Sequence, residues 1–238
     1  MWMDECDECE AFFKRAREGF VRLLGENNAK AVYAAFKVAG QLEDEDDIIA
    51  EYRWLWETAK VSLPDEAITC DVANHLGEKL REKGQHEQAK VIHLVAFEGR
   101  RRVLREEHKK TLESLNHVGI VLRKMEDYEG ALNYYQLALS VQESILGKTH
   151  PHTLVTMMNM ANAYQVGLKN STKAEEMYRQ ALDGHEKSLG KDHDHVKNCA
   201  RNLARLFQAS AMISRLKTTE LVQLFHHLMG EPWVVSML

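Results

Sequence analysis

A repeat of about 42 residues runs along the chain and constrains its fold more than any other feature. Two alanines, a leucine and a histidine each return at the same phase in three successive units. These sets are Ala89, Ala131 and Ala174; Ala96, Ala138 and Ala181; Leu104, Leu146 and Leu189; and His108, His150 and His193. The last step is 43 residues because one residue is inserted in the turn before Ala174. A period of this length predicts supersecondary units that stack side by side.

Each unit is predicted to be a pair of helices. In the first helix of the first unit, apolar residues fall four apart at Ile68, Val72, Leu76 and Leu80, which gives one apolar stripe. In the second helix, the recurring alanines flank a ring, which is His93 in the first unit and a tyrosine in the next two. We expect His93 to be a hydrogen-bonded ring of the core. One pair cannot cover its own apolar faces, so neighbouring pairs must pack together.

Several segments keep a recognisable pattern. They are Asn-Met-Ala-Asn-Ala-Tyr at 159–164, the segment Ala174–Leu182, Leu-Gly-Lys-Asp-His at 189–193 and the turn Leu-Gly-Lys-Thr-His-Pro at 146–151. Together they resemble the tetratricopeptide repeat, in the long form of the kinesin light chain family. The resemblance extends over about residues 64–208. It implies an all-α fold, namely a right-handed superhelix of helical hairpins.

The sequence outside the repeats predicts further helices. The expected divisions are N-terminal helices with a degenerate repeat in residues 1–63, three to four repeats in residues 64–210, and a capping helix with an apolar tail in residues 211–238. Upstream, apolar spacing predicts helices over Cys6–Leu24 and Ala29–Leu42, then a third helix with Asp47 as its N-cap. Downstream, a capping helix is expected over Thr219–Met229, ended by the following glycine.

Composition argues against several classes of protein. The formal net charge is −5, so we expect no nucleic-acid partner, because phosphate contacts depend on Lys and Arg. The same charge and the 42-residue unit disfavour an RNA-binding helical repeat. No apolar run reaches the roughly 18 residues of a membrane span, and the acidic N-terminus is unlike a secretory signal. The four cysteines are too scattered for a disulfide framework, which favours a cytoplasmic location.

The candidate chemical motifs all have structural explanations. Cys6 and Cys9 have the spacing of half a zinc site, but no second pair completes the four ligands. The recurring histidines share one turn position of the repeat, which indicates a structural role. Arg100-Arg101-Arg102 has Glu98, Glu106 and Glu107 as neighbours, so the segment is predicted to be a solvated helix face. Phosphate-binding glycine loops and hydrolase motifs are absent. We therefore expect no enzyme, no metal and no cofactor.

The first helix of each pair is expected to line the concave side of the superhelix. The inward positions follow by counting from the small residue that packs against the partner helix. The predicted peptide-binding surface consists of Asn74, Arg81, Asn116, Ile120, Arg123, Met158, Asn159, Asn162, Arg201 and Arg205. Amides can bond both the N–H and the C=O of an extended peptide, and guanidinium groups suit carboxylates. Asp71 and Glu78 are also predicted to point inward.

These positions predict a non-catalytic adaptor that binds a short, partly acidic peptide in its groove. The resemblance agrees, because kinesin light chain repeats bind cargo-adaptor peptides through Asn and basic residues on these helices. The alternative is a structural or self-association module. In that case the apolar tail at 233–238 or the acidic segment at 1–10 fills the groove in cis or from a second copy. We expect a protein or peptide partner, no membrane, and a monomer or weak homo-oligomer.

Overall fold

The computed structural model describes residues 15, 18–19, 22, 25, 28–42 and 44–209. Within these residues every regular element is an α-helix. The helices are α1 (Ala29–Ala39), α2 (Glu45–Ser62), α3 (Ala67–Glu82), α4 (His86–Leu104), α5 (Lys109–Lys124), α6 (Tyr128–Ile145), α7 (Pro151–Val166), α8 (Ser171–Leu189) and α9 (Asp194–Ala209). The predicted pairing of helices in each repeat is confirmed.

The chain divides into two compact units, Met1–Met125 with α1 to α5 and Glu126–Leu238 with α6 to α9. The division falls within the span predicted as the repeat array. Of the helix expected over Cys6–Leu24, only residues 15, 18–19 and 22 are described, and all four are helical. The helix expected over Thr219–Met229 and the apolar tail lie outside the described residues.

The core of the first unit follows the predicted stripes. Val72, Leu76 and Leu80 of α3 are fully buried, and Ala89 of α4 packs among them. Ala35 and Tyr52 extend the same core into α1 and α2. Burial of these apolar side chains stabilises the unit by roughly 1.5–3 kcal/mol for each large side chain.

The core of the second unit repeats the arrangement. Ala161 of α7, with Ala174 and Tyr178 of α8, packs against Leu203 and neighbouring apolar residues of α9. The small residues are required because the helices approach closely. A Cβ atom on Gly184 would lie 2.7 Å from the Leu154 side chain, so α7 and α8 could not keep their present spacing with a larger residue there.

The recurring histidines are helix N-caps. In His108, His150 and His193, the Nδ1 atom accepts a hydrogen bond from the backbone N–H two residues later, at 3.2, 3.3 and 3.1 Å respectively. Each satisfies one of the N–H groups that a helix start leaves without an intrahelical partner. The structural role predicted for this repeat position is confirmed.

The N-cap of α2 differs from the prediction. Asp44, and not Asp47, caps the helix, because its Oδ1 accepts hydrogen bonds from the N–H groups of Asp46 and Asp47 at 2.8 and 3.1 Å. The acidic run offers several possible caps, and the apolar spacing does not distinguish among them. The N-cap available just before Ala29 is Asn28, whose side chain accepts from Lys30 N–H at 2.9 Å.

The turn before each histidine requires an unusual backbone. Gly147 and Gly190 have φ values of 88° and 83°, and the equivalent position of the first unit is Arg105 with φ 75° and ψ 168°. Backbone in this region is adopted almost only by glycine. The first repeat therefore carries backbone strain that the two later repeats avoid.

Candidate functional site

The predicted surface residues fall on two sets of helices, one in each unit. We name these sets wall 1 and wall 2. Wall 1, on α3 and α5, comprises Asn74, Arg81, Asn116, Ile120 and Arg123. Wall 2, on α7 and α9, comprises Met158, Asn159, Asn162, Arg201 and Arg205.

Two side-chain bridges join the helices of wall 1. The Nζ atom of Lys110 lies 2.6 Å from Asp71 Oδ2, and the Nε2 atom of His117 lies 3.3 Å from Glu78 Oε1. Both bridges connect α3 with α5. The structure therefore joins α3 and α5, the two helices that carry the wall 1 residues.

Wall 1 contains buried polar atoms that have no hydrogen-bond partner among the described residues. They are Oδ1 of Asn74, Nε of Arg81 and Nε of Arg123. The Asn74 residue is only 6% exposed. A buried polar atom left unpaired costs about 1–3 kcal/mol.

The other wall 1 side chains are partly engaged. The Arg81 side chain is 24% exposed, and its Nη2 atom lies 3.5 Å from Glu82. Asn116 donates a long hydrogen bond of 3.4 Å to the Leu112 carbonyl. Ile120 and Arg123 are half-buried. Wall 1 thus offers amide and guanidinium groups beside one aliphatic side chain.

A histidine cluster lies beside wall 1, and nothing in the repeat spacing predicts it. The rings of His93 and His117 stack with centroids 5.1 Å apart. Burial, with smaller effects from neighbouring cations, lowers the pKa of His93 to about 3 and the pKa of His117 to about 4. Burial raises the pKa of Glu78, which lies between His75 and His117. The imidazoles are therefore neutral at pH 7.

The prediction for His93 is correct in part. The ring is fully buried, as expected for a core position. The expected hydrogen bond is not well formed, since neither ring nitrogen has a partner of good geometry among the described residues, although the Gly77 backbone interacts with the ring. The ring packs against Gly77 so closely that a Cβ atom there would lie 2.7 Å from it.

The prediction that Arg100 belongs to a solvated face is also wrong. Arg100 is 4% exposed, and it donates hydrogen bonds to Asp71 at 2.7 Å and to the Ser114 hydroxyl at 2.8 Å. Burial alone would raise the pKa of Asp71, but hydrogen bonds from Lys110 and Arg100 outweigh it and hold that pKa below its usual value. Arg101 and Arg102 are exposed, as predicted.

Wall 2 is built differently. Met158 is buried, and Asn159 is half-buried. Asn162 donates to the Met158 carbonyl at 3.0 Å, while its Oδ1 accepts from the Tyr178 hydroxyl at 2.7 Å. Both hydrogen bonds hold the Asn162 amide in one orientation.

The two arginines of wall 2 are exposed on α9. Arg201 donates to the Asn198 side chain at 2.7 Å. Arg205, one turn further along, has no carboxylate partner within the part of the chain that the structure describes. These neighbouring guanidinium groups form a positively charged patch that a carboxylate can reach from solvent.

The described residues contain neither a metal-binding group of side chains nor a membrane-spanning helix. No group of three or more His, Cys, Asp or Glu side chains among them is arranged to hold a metal ion. None of the helices in the same residues is both long enough and apolar enough to span a bilayer. Cys6 and Cys9 lie outside the described part of the chain, while Cys70 and Cys199 are buried free thiols.

Comparison with known proteins gives a consistent result. The family model of the tetratricopeptide repeat matches residues 68–144, 110–187 and 156–213, which together exceed half of the chain. No match to a curated protein was found.

Solved structures share the fold. BtubC (BKLC) from P. vanneervenii is 15% identical, with a TM-score of 0.72 over 95% of this chain and 93% of that one. A Podosopora anserina putative kinesin light chain with nearly identical TPR-like repeats is 18% identical, with a TM-score of 0.63 over 89% and 95%. MamA is 16% identical, with a TM-score of 0.54 over 81% and 94%. At such low identities these likenesses show the fold, and they confirm the predicted all-α arrangement of helical hairpins.

Proposed function

Because the chain belongs to the tetratricopeptide repeat family and is a protein-interaction module, we propose that it is a non-catalytic adaptor for a short, partly acidic peptide. Wall 1 and wall 2 are proposed as separate peptide-contacting surfaces, each within its own unit. Wall 1 binds the backbone and one apolar side chain of a peptide. Wall 2 binds an acidic side chain of a peptide. The peptide is a segment of a protein partner.

The observation that carries the proposal is the set of unpartnered buried atoms in wall 1. An extended peptide presents alternating N–H donors and C=O acceptors along its backbone. Asn74 Oδ1 accepts a hydrogen bond, whereas the Nε–H groups of Arg81 and Arg123 donate. A bound peptide therefore satisfies all three atoms and recovers the cost of leaving them unpaired.

The acidic part of the peptide is assigned to wall 2 because of the neighbouring charges. On α3 and α5, the carboxylates of Asp71, Glu78 and Glu82 lie close to the binding residues. They would repel a further carboxylate. On α9, Arg201 and Arg205 lie four residues apart on an exposed face, without a carboxylate partner among the described residues. A peptide carboxylate meets less competition there.

The experiment begins with a random peptide library displayed on phage and panned against the full chain. Recovered peptides are then measured by fluorescence polarisation against variants. Arg201→Glu with Arg205→Glu is expected to weaken acidic peptides by more than about tenfold, since an attraction becomes a repulsion. Arg123→Glu is expected to weaken acidic and neutral peptides alike, because it removes a backbone contact.

The matched control is Arg179→Glu with Lys187→Glu. Both residues are exposed on α8 and already pair with carboxylates, and they belong to neither wall. The control should leave affinity unchanged, and circular dichroism should show that every variant is folded. Equal affinity of all variants for the recovered peptides would remove both walls from the proposal.

The self-association alternative is separated by sedimentation. A chain ended at Gly230 should keep the mass per particle of the full chain if the protein is an adaptor. A fall in particle mass after truncation would favour self-association through the tail.

A further inference from the structure

A separate cleft lies in the first unit, away from wall 1. It has a volume of about 610 Å³ and is formed by the C-terminal half of α2, the N-terminal half of α3 and the C-terminal half of α4. Its lining includes none of the wall 1 residues. Sites for small ligands commonly have volumes of roughly 300–1,000 Å³ and mostly apolar linings.

The cleft exists because three repeat positions hold small residues in this repeat. Its floor contains Cys70, Ala73 and Gly99. One repeat later, the equivalent positions hold larger residues, which are Leu112, Leu115 and Val141. In the repeat after that, the positions equivalent to Cys70 and Ala73 hold Leu154 and Met157, both buried. In the first repeat these positions hold smaller side chains, and Cys70 and Ala73 lie beneath the cleft at 4% and 0% exposure.

The walls of the cleft are apolar. Trp56 of α2 faces it from one side, and Leu94 and Val95 of α4 line the other. Val95 is 41% exposed, which shows that the apolar lining continues to the protein surface. Burial raises the pKa of the Cys70 thiol, which is therefore neutral at pH 7. Such a lining suits an aliphatic chain.

Cations outnumber carboxylates in the described lining of the cleft mouth. Lys60, Arg101 and Arg102 belong to that lining, and Glu98 is its one carboxylate among the described residues. Glu98 pairs with Arg101 at 2.7 Å, and Glu57 and Asp65 outside the lining pair with the other two cations. All three pairs are solvent-exposed, so each contributes little and exchanges readily for another carboxylate. An anionic head group is therefore the polar end that this mouth favours.

We propose that the cleft binds a free amphiphile with an aliphatic tail and a carboxylate head. The tail lies over Cys70, Ala73 and Gly99, between Trp56 and Val95. The carboxylate lies at the mouth, beside Arg101 and Arg102. This inference goes beyond the peptide-binding function and does not depend on it, because it concerns a different surface.

The test is isothermal titration calorimetry of the full chain with sodium dodecanoate, below its micelle concentration. Dodecyltrimethylammonium serves as the matched probe, since it has the same tail and a cationic head. We expect saturable binding of dodecanoate at one site. Dodecyltrimethylammonium should bind at least about tenfold more weakly.

Two kinds of variant locate the site. Ala73→Leu restores the leucine of the next repeat and should abolish binding by filling the floor. Val95→Glu places a carboxylate at the surface end of the lining and should also abolish binding, and its exposed position protects the fold if Ala73→Leu does not fold. Arg179→Glu with Lys187→Glu, in the other unit, should bind dodecanoate as the unaltered chain does.

Three results would overturn the proposal. They are no binding of dodecanoate to the unaltered chain, equal binding of the two amphiphiles, and unchanged binding by the Val95→Glu variant. None of these outcomes bears on the peptide proposal, because Trp56, Ala73 and Val95 belong to neither wall. Failure of one proposal is therefore distinguishable from failure of the other.

Discussion

The two units hold different polar side chains at equivalent buried positions. At one buried position of the second helix, the first unit has Arg100 and the second has Gln142. Arg100 requires the carboxylate of Asp71 in addition to a hydroxyl, whereas Gln142 accepts a single hydrogen bond of 2.7 Å from Thr156. A buried charge must be paired, while a buried amide needs only a hydrogen bond. The first unit is therefore more sensitive to the loss of one partner.

The ring position shows the same contrast. In the second unit, the Tyr178 hydroxyl donates to Asn162 at 2.7 Å and to Gln165 at 3.1 Å. In the first unit, His93 occupies the equivalent position without a well-formed hydrogen bond to either nitrogen among the described residues. A tyrosine keeps its charge state over the whole physiological range, but a buried imidazole gains a proton in acid. The free energy of unfolding therefore depends on pH where this repeat position holds an imidazole, and not where it holds a tyrosine.

The largest effect is expected from removing Asp71. Asp71→Val introduces the residue of the equivalent position in the second unit, Val155, and leaves the Arg100 guanidinium buried without its carboxylate. We expect the free energy of unfolding to fall by about 3–5 kcal/mol. Urea unfolding followed by circular dichroism measures the change.

A second substitution should then repair the first. Asp71→Val with Arg100→Gln removes the buried guanidinium together with its carboxylate and leaves an amide that can bond a hydroxyl, as Gln142 bonds Thr156. We expect most of the lost stability to return, because the Ser114 hydroxyl is available to the new amide. If the double variant is no more stable than Asp71→Val alone, an amide cannot replace the paired guanidinium at this position.

An intermediate effect is expected from pH. The folded protein holds the pKa of His93 at about 3 and of His117 at about 4, below their ordinary value of 6.5. The pKa of His185 in the second unit is also lowered, to about 4. Below pH 6.5 the unfolded chain takes up protons that these folded imidazoles do not. The contribution of these histidines to the free energy of unfolding is therefore fully present above pH 6.5, and it declines as the pH falls towards 4.

His93→Tyr tests the source of this dependence. By repeat position, the new hydroxyl would lie near Glu78 and Arg81, the equivalents of Asn162 and Gln165. We expect the melting temperature of this variant to fall less steeply between about pH 7 and about pH 4. His152→Gln, at an exposed position of α7, is the control and should leave the slope unchanged. If the slope is unaltered in His93→Tyr, groups other than His93 cause the loss of stability in acid.

The smallest effect is expected at the strained turn. Arg105→Gly gives the first unit the residue that Gly147 and Gly190 provide in the later units, and so relieves the backbone at φ 75°. We expect a gain of about 1 kcal/mol in the free energy of unfolding. The reverse change, Gly190→Arg, should cost a similar amount. A loss of stability in Arg105→Gly would mean that the Arg105 side chain contributes more than its backbone costs.

Much of the fold was predictable from the sequence, because it depends on periodicity. Ala89, Ala131 and Ala174 recur in phase, and all three are fully buried where two helices meet. The turn histidines also follow from the period, because equivalent positions meet equivalent backbone. The same period predicts which residues of α3 and α5 share one helix face.

The chemistry of the candidate site was less predictable. Nothing in the repeat spacing distinguishes Arg100, which is buried and paired, from Arg101, which is exposed beside it. The unpartnered atoms of Asn74 and Arg123 depend on how far each side chain lies from every neighbour on other helices. A stronger signal was present in the register, where Arg100, Gln142 and His185 share one position that is buried in all three repeats.

The sequence by itself determined the helical hairpins, the alanine contacts and the capped turns, since each arises from residues close in the chain or repeated at a fixed period. The tertiary structure alone decided which polar groups of the walls are already engaged and where three small residues leave a cleft. Those properties arise from distances between side chains on different helices, and such distances depend on the packing of the neighbouring helices.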